Sequence, residues 1–287
     1  MEINGKTRTC GLIGNPVEHT LSPMIHNTLA EMFGHNLVYV PFPVGTGRVA
    51  EAVAGASALG ILGLNVTVPY KSEVIPCLRE VDSLAASIGA VNTLVRLSDG
   101  YKGYNTDMEG LYRAMTAEGL KLAGEEIILL GAGGASRAVA YLCAVKQAKR
   151  VYMLNRTVDK ARLVAEEVNR CVGREVVLPM ALAEFDRLPD QKFLAIQGTS
   201  VGLYPNGEQA VIEEQDFYRR VHTGFDLIYR PWETKFMKLV KENGGQAYNG
   251  LKMLLYQGVI AYELWNGVEV SEKEARIVYE KLKKAVS

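Results

Sequence analysis

The run Ile127-Ile128-Leu129-Leu130-Gly131-Ala132-Gly133-Gly134-Ala135-Ser136-Arg137 passes from four aliphatic residues through a glycine turn into a helix start. Few segments constrain a fold as tightly. An unbroken aliphatic run of this length reads as a strand buried on both faces, and such strands belong to sheets covered by crossover helices. A glycine turn at the strand end lets backbone N–H groups approach a pyrophosphate lying on the positive end of the next helix. The run departs from the full GxGxxG fingerprint at its third position, where Ser136 is still small enough for close helix–strand packing. Taken alone, it also fits a merely structural strand-to-helix connection, so its surroundings must decide.

A second strand, Arg150–Leu154, follows that helix and ends at Asn155-Arg156-Thr157. At this distance an NAD-specific site places an acidic residue on the ribose 2′-hydroxyl. No acid stands there. Arg156 can hold a 2′-phosphate through its planar guanidinium fork, with Asn155 and Thr157 as hydrogen-bond partners and Lys160 as a further positive charge. The pattern predicts a Rossmann-type domain for NADP, the competing reading being an exposed arginine at a strand end.

A chain of 287 residues can bury two cores, and two domains ordinarily leave a cleft between them. Ahead of the glycine turn, short apolar runs alternate with helical patterns. Strands are expected at Cys10–Gly14, Leu37–Pro41 and Ile61–Val68, and helices from Ser22, Arg48 and Tyr70. This alternation predicts an α/β domain with a mostly parallel sheet. Ser22 is placed to cap its helix, and Pro23 sits where a missing N–H costs nothing. Asp99-Gly100 predicts a turn between Ala90–Leu97 and Tyr101–Tyr104, so a hairpin interrupts the alternation. An amphipathic helix after Asp107 leads into a second series, with strands at Glu126–Leu130, Arg150–Leu154, Glu175–Leu178, Phe193–Gln197 and Gly224–Ile228. Two helices follow, Leu251–Trp265 and Ser271–Lys284.

Lysine plus arginine and aspartate plus glutamate balance at 32 each, so no long-range field draws the chain to nucleic acid or an anionic membrane. A small-molecule substrate is the expected partner. Cys10, Cys77, Cys143 and Cys171 are scattered, with no CxxC pair and no histidine at metal-ligand spacing, which predicts reduced, mostly buried thiols and no metal. Residues 1–8 carry charges and precede only a short apolar stretch, unlike a signal peptide, and Ala52–Leu64 is too short to span a bilayer. The expectation is a cytoplasmic enzyme, with monomer and homodimer both open.

Three polar segments stand at or just beyond expected strand ends, where ligands of open α/β sheets bind: His19–Pro23, Asn65–Lys71, and Ala90–Thr93 with Asn105–Asp107. Residue types alone leave a plainer reading open. Thr20 and Ser22 can be caps, Asn65 and Asn92 buried backbone partners, Lys71 a solvated charge and Asp107 an N-cap.

The combination is more specific than its parts. Thr20–Asn27, Asn65–Lys71, Gly89–Thr93, Asn105–Asp107, Gly131–Arg137, Asn155–Thr157 and Gly250–Gln257 resemble, in this order, the SLSPxxHN, NVTVPxK, GAVNT, NTD, GAGGxxR, NRT and GLxMLxxQ elements of the shikimate dehydrogenase family. The resemblance covers nearly the whole chain. It implies a substrate-binding domain at 1–107, completed by helices in 250–287, and an NADP-binding domain at 108–249. The implied activity is reversible hydride transfer between shikimate and 3-dehydroshikimate, on the route to chorismate and the aromatic amino acids. Lys71 and Asp107 become the catalytic pair, Lys71 as proton shuttle and Asp107 as its orienting partner. Asn65, Thr67, Asn92 and Gln257 become substrate contacts, Thr20 and Ser22 bind the substrate carboxylate, and Tyr229 in the run Asp226–Pro231 assists. Thr199, Gly250 and Met253 join Gly131–Ser136, Asn155, Arg156, Thr157 and Lys160 as cofactor contacts.

Three departures from the family pattern leave catalytic groups intact. Thr20 replaces a serine, Gln197-Gly198-Thr199-Ser200 replaces Asn-Ala-Thr, and Met108-Glu109-Gly110 replaces a more glycine-rich run. Related enzymes act on quinate, and a methyl difference in a pocket shifts discrimination by only about 1 to 3 kcal/mol. A quinate or dual-specificity dehydrogenase using NAD or NADP is therefore one alternative. A catalytically silent metabolite-binding regulator is another, against which the retention of Lys71 and Asp107 argues.

Overall fold

The computed structural model describes residues 2–203 and 207–286. The chain divides into two compact units, one formed by Met1–Arg113 with Lys252–Ala285 and the other by Ala114–Leu251.

The first unit contains β1 (Arg8–Gly14), α1 (Ser22–Met32), β2 (Leu37–Pro43), α2 (Val49–Ala58), β3 (Gly63–Val66), β4 (Glu80–Val81), α3 (Ser83–Ile88), β5 (Thr93–Leu97), β6 (Gly100–Tyr104) and the start of α4 (Asp107–Ala117). Its sheet has the order β2-β1-β3-β5-β6-β4. β2 and β3 flank β1 in parallel, β5 runs antiparallel to both β3 and β6, and β4 is parallel to β6. The expected hairpin is therefore present, and it inverts the chain so that Asn92 and Asp107 meet at one end of the sheet. Leu64, Val66, Tyr70, Val74, Val91, Leu94 and Tyr101 form its buried centre. Near the C-terminus, α9 (Leu251–Asn266) and α10 (Glu272–Val286) supply the helices that the patterning predicted.

The second unit contains β7 (Glu126–Leu130), α5 (Gly134–Val145), β8 (Arg150–Asn155), α6 (Val158–Val172), β9 (Val177–Ala181), β10 (Phe193–Gln197), α7 (Gln215–Tyr218), β11 (Val221–Asp226), α8 (Lys235–Glu242) and β12 (Gln246–Tyr248). All strands are parallel, in the order β12-β11-β10-β7-β8-β9. Counted from β7 as the first strand, this is the 3-2-1-4-5-6 order of a doubly wound dinucleotide-binding sheet, whose ligand crevice lies where the order reverses. That point is the junction of β7 and β10.

Several expectations need correction. No α-helix starts at Tyr70; the chain makes successive turns and a short 3₁₀ helix at Ile75–Cys77, because Pro76 has no N–H to continue a helix. Ser22 is the first helical residue rather than the cap, which is Leu21. The hairpin turn is Ser98-Asp99, since Leu97 pairs with Gly100. Only Cys10 and Cys143 are buried, Cys77 is half-buried and Cys171 exposed. Among the described residues no helix is long and apolar enough to cross a membrane.

Candidate active site

Lys71 follows β3 on a segment that the fold pins at two places. Tyr70 donates its hydroxyl to the carbonyl of Val44 at 2.7 Å, and the carbonyl of Lys71 accepts the N–H of Val91 at 2.8 Å. From there Lys71 Nζ donates to Asp107 Oδ2 at 2.6 Å, with the two side chains 32 % and 21 % exposed. Asp107 opens α4, and its own N–H donates to Asn105 Oδ1 at 3.1 Å. The pair is sheltered but not fully buried.

Asn92 completes the carboxylate's surroundings. Its Oδ1 accepts the N–H of Thr106 at 2.8 Å, and its Nδ2 donates to Asp107 Oδ1 at 2.8 Å. A backbone N–H can only donate and an ionised carboxylate can only accept, so the orientation of this amide is forced. Both oxygens of Asp107 are thereby held, Oδ1 by Asn92 and Oδ2 by Lys71. Gln257 joins from α9, its Oε1 3.4 Å from Asn92 Nδ2. This approach depends on Gly110, since a Cβ there would lie 2.7 Å from the backbone nitrogen of Gln257.

A second group lies along the same hydrogen-bonded network. Asn65 Oδ1 accepts the Tyr39 hydroxyl at 2.8 Å, and its Nδ2 donates to the carbonyl of Asn92 at 3.3 Å and to Thr93 Oγ1 at 3.1 Å. Burial pushes the Tyr39 hydroxyl well above its ordinary pKa, partly offset by the Ser22 side chain beside it. Thr20 Oγ1 donates to Ser22 Oγ at 3.1 Å and accepts the Ser22 N–H at 3.2 Å. Thr20, Ser22, Asn65, Asn92, Asp107, Lys71 and Gln257 are thus drawn into one region of the first unit. Thr67 is half-buried four residues before Lys71, and Met253 is half-buried on α9.

In the second unit the glycine turn sits at the reversal point of the sheet. Gly131 has φ +104°, a conformation costly for a side chain, and an added Cβ would lie 2.5 Å from Thr199 Cγ2. Ser136 is fully buried and donates to the carbonyl of Gly198 at 3.0 Å, tying α5 to the residue after β10. The N-cap of α5 is Gly133, which brings no side chain to the helix end, and Gly133, Gly134 and Ala135 are exposed while Ala132 is half-buried. Open N–H groups at an uncapped helix start are what a pyrophosphate needs, so these residues fit a dinucleotide. At the end of β8, Asn155 Nδ2 donates to the carbonyl of Thr157 at 2.8 Å, leaving Arg156, Thr157 and Lys160 exposed. Gly250 donates its N–H to Ile228 at 3.0 Å and packs its Cα against Leu227. Burial raises the hydroxyl pKa of the neighbouring Tyr229.

Sequence reasoning assigned no role to Tyr39, Thr93 or Gly110. Tyr39 carries the weakest signal, a single phenol on an apolar strand that reads as core. Thr93 stands within a quoted motif, but a threonine opening a strand needs no special explanation. Among the described residues, no three histidine, cysteine, aspartate or glutamate side chains gather as they would around a metal.

Comparison with known proteins agrees with this geometry. Residues 12–94 match the family described as shikimate dehydrogenase substrate binding domain, residues 114–188 match shikimate / quinate 5-dehydrogenase, and residues 250–276 match shikimate 5′-dehydrogenase C-terminal domain. A shikimate dehydrogenase (NADP⁺) of Desulforamulus reducens is 40 % identical over 267 residues, covering 92 % of each chain. The crystal structure of a shikimate dehydrogenase in complex with NADP⁺ superposes with a TM-score of 0.87 at 36 % identity, covering 98 % of this chain and 97 % of that one. A shikimate 5-dehydrogenase of Listeria monocytogenes, in complex with shikimate and NAD, gives a TM-score of 0.90 at 28 % identity over 98 % of both chains. On the ordered motifs, the sheet topology and this similarity over nearly its full length, the chain belongs to the shikimate dehydrogenase family.

Proposed function

We propose that this chain is an NADP-dependent shikimate dehydrogenase of the cytoplasm, interconverting shikimate and 3-dehydroshikimate on the route to chorismate and the aromatic amino acids. The observation that carries the reading is the Lys71–Asp107 contact of 2.6 Å, with Asn92 on the other carboxylate oxygen and Gln257 beside it. Oxidising a secondary alcohol requires a group within about 3 Å to take the hydroxyl proton as hydride leaves the carbon. Lys71 takes that proton, and returns it in the reverse direction. Asp107 holds the Lys71 amine and the substrate hydroxyl in register, so that the two side chains act as one acid–base unit. NADP, when bound, supplies the hydride acceptor or donor.

The remaining roles follow from hydrogen-bond chemistry. Thr20 and Ser22 offer two adjacent hydroxyls to the substrate carboxylate, while Asn65, Thr67, Asn92 and Gln257 address its ring hydroxyls, assisted by Tyr229. Residues 1–107 with 250–287 form the substrate-binding domain. Residues 108–249 form the cofactor domain, where the turn Gly131–Ala135 would receive the pyrophosphate and the fully buried Ser136 holds that turn against Gly198. There Asn155, Arg156, Thr157 and Lys160 receive the 2′-phosphate, and Thr199, with Gly250 and Met253 from the following segment, contacts the cofactor. Replacing Lys71 with alanine lowers turnover about a hundredfold or more with a smaller effect on the KM for shikimate. Steady-state rates of NADP⁺ reduction test this, and an unchanged turnover removes Lys71 from the mechanism.

A further inference from the structure

Thr93 opens β5 with its side chain fully buried, yet its hydroxyl lies between two amides of the candidate site. Asn65 Nδ2 stands 3.1 Å from Thr93 Oγ1, and Asn92 Oδ1 stands 3.1 Å from it on the other side. The polarity of this link is fixed. Asn65 Nδ2 also faces the carbonyl oxygen of Asn92, which can only accept, so the Asn65 amide donates toward Thr93. Asn92 Oδ1 already accepts the Thr106 N–H, so it is the oxygen of its amide. Thr93 therefore accepts from Asn65 and has one proton left, directed to Asn92 Oδ1 or shared with Thr106 Oγ1 at 3.3 Å.

A directed chain results. Tyr39 donates to Asn65, Asn65 to Thr93, Thr93 to Asn92, and Asn92 to Asp107, where Lys71 donates to the other oxygen. We propose that Thr93 is a positioning residue for the reaction: its buried hydroxyl joins the Asn65 and Asn92 amides, whose orientations the Asn92 carbonyl and the Thr106 N–H set, and so holds Asn92 Nδ2 in place against Asp107. Removing that hydroxyl leaves one Asn65 N–H facing a methyl group and leaves Asn92 Oδ1 held by Thr106 alone, through its N–H and its hydroxyl, so the Asn92 amide is less tightly placed. Asp107 then has a less firmly placed donor although neither member of the Lys71–Asp107 pair has been altered. This inference rests on the proposed dehydrogenase activity.

The test uses the full chain and compares wild type with Thr93→Val and Thr93→Ser. Thr93→Val keeps the shape and loses the hydroxyl; it lowers kcat with shikimate at least tenfold, leaves the KM for NADP⁺ within about twofold, and shifts the pH profile of kcat relative to wild type. Thr93→Ser restores the hydroxyl and recovers most of the lost turnover together with the wild-type pH profile. The proposal is overturned if Thr93→Val matches wild type in kcat and pH profile. It is overturned as well if both variants lose activity equally or raise the KM for NADP⁺ in parallel, which marks general damage to packing. A wild-type protein that folds and binds NADP⁺ but does not turn over shikimate removes the dehydrogenase reading itself, a result distinct from failure at Thr93.

Discussion

Among single residues, His26 and Asp226 show how burial writes a pH dependence into each unit separately. His26 is fully buried in the first unit, its ring stacked on Tyr39 with centroids 4.2 Å apart and 4.9 Å from Trp265. Burial pushes its imidazole down to about 3, which Asn65, outside hydrogen-bonding geometry, offsets only in part. Asp226 is fully buried in the second unit, where burial pushes its carboxyl up to about 7 against hydrogen bonds from Thr234 and from the backbone of Ile228. The signs are opposite. Between pH 6.5 and about 3 the unfolded chain protonates His26 and the folded chain does not, so this contribution falls as pH falls. Between 3.8 and about 7 the folded chain holds a proton on Asp226 that the unfolded chain has released, so that contribution falls as pH rises. Each amounts to roughly 4 to 5 kcal/mol over its window. Denaturant unfolding at pH 4 and pH 7 should therefore show Asp226→Asn gaining on wild type toward pH 7 and His26→Leu gaining toward pH 4. Parallel curves for wild type and either variant would refute that residue's part. Neither behaviour is legible from residue type, because a histidine or aspartate in a sequence does not declare its burial. Lys71, Asn92 and Asp107, which the structure brings together, and Arg156, which it leaves exposed, stood out in the sequence through the ordered motifs they belong to, since their residue types alone also fit caps, turns and solvated charges.

At the scale of elements, the close passage of α4 and α9 brings Gln257 to Asn92. Gly110 permits it, and α9 lies against α4 with no room for a methyl group. Gly110→Ala improves intrinsic helix propensity but overpacks this contact, at a cost of about 1 to 3 kcal/mol. The expected result is a lower melting temperature together with a raised KM for shikimate; a variant as stable as wild type with an unchanged KM would show that the helices move apart without consequence. Strong periodicity made the long helices and the β7, β8 and β10 strands legible. Weak or interrupted patterns did not do the same. The stretch from Tyr70 looked helical until Pro76 is counted, and β4 and β12 are two and three residues long, too short for alternation to register. Helix α3 carries good end signals, Asp82 accepting the Leu84 N–H and Gly89 in the left-handed region, but spans only six residues.

For the molecule as a whole, the division into two α/β units was readable from length and alternation, whereas strand order was not. Periodicity says which runs are strands and leaves open which runs pair. The 3-2-1-4-5-6 order is what places Thr199 beside Gly131, residues far apart in the chain that only the family resemblance groups together in the sequence. In the first unit the β5–β6 hairpin similarly carries Asn92 to Asp107, where it holds one oxygen while Lys71 holds the other. The central claim is that these assemblies together oxidise shikimate with NADP⁺. The measurement that tests it most directly is the initial rate of nicotinamide reduction by the purified chain over four mixtures, shikimate or quinate with NADP⁺ or NAD⁺, at matched saturating concentrations. The account predicts turnover chiefly with shikimate and NADP⁺. Preference for quinate or NAD⁺ would contradict the substrate or the Arg156 assignment respectively, and silence in all four mixtures from folded protein would contradict the dehydrogenase reading.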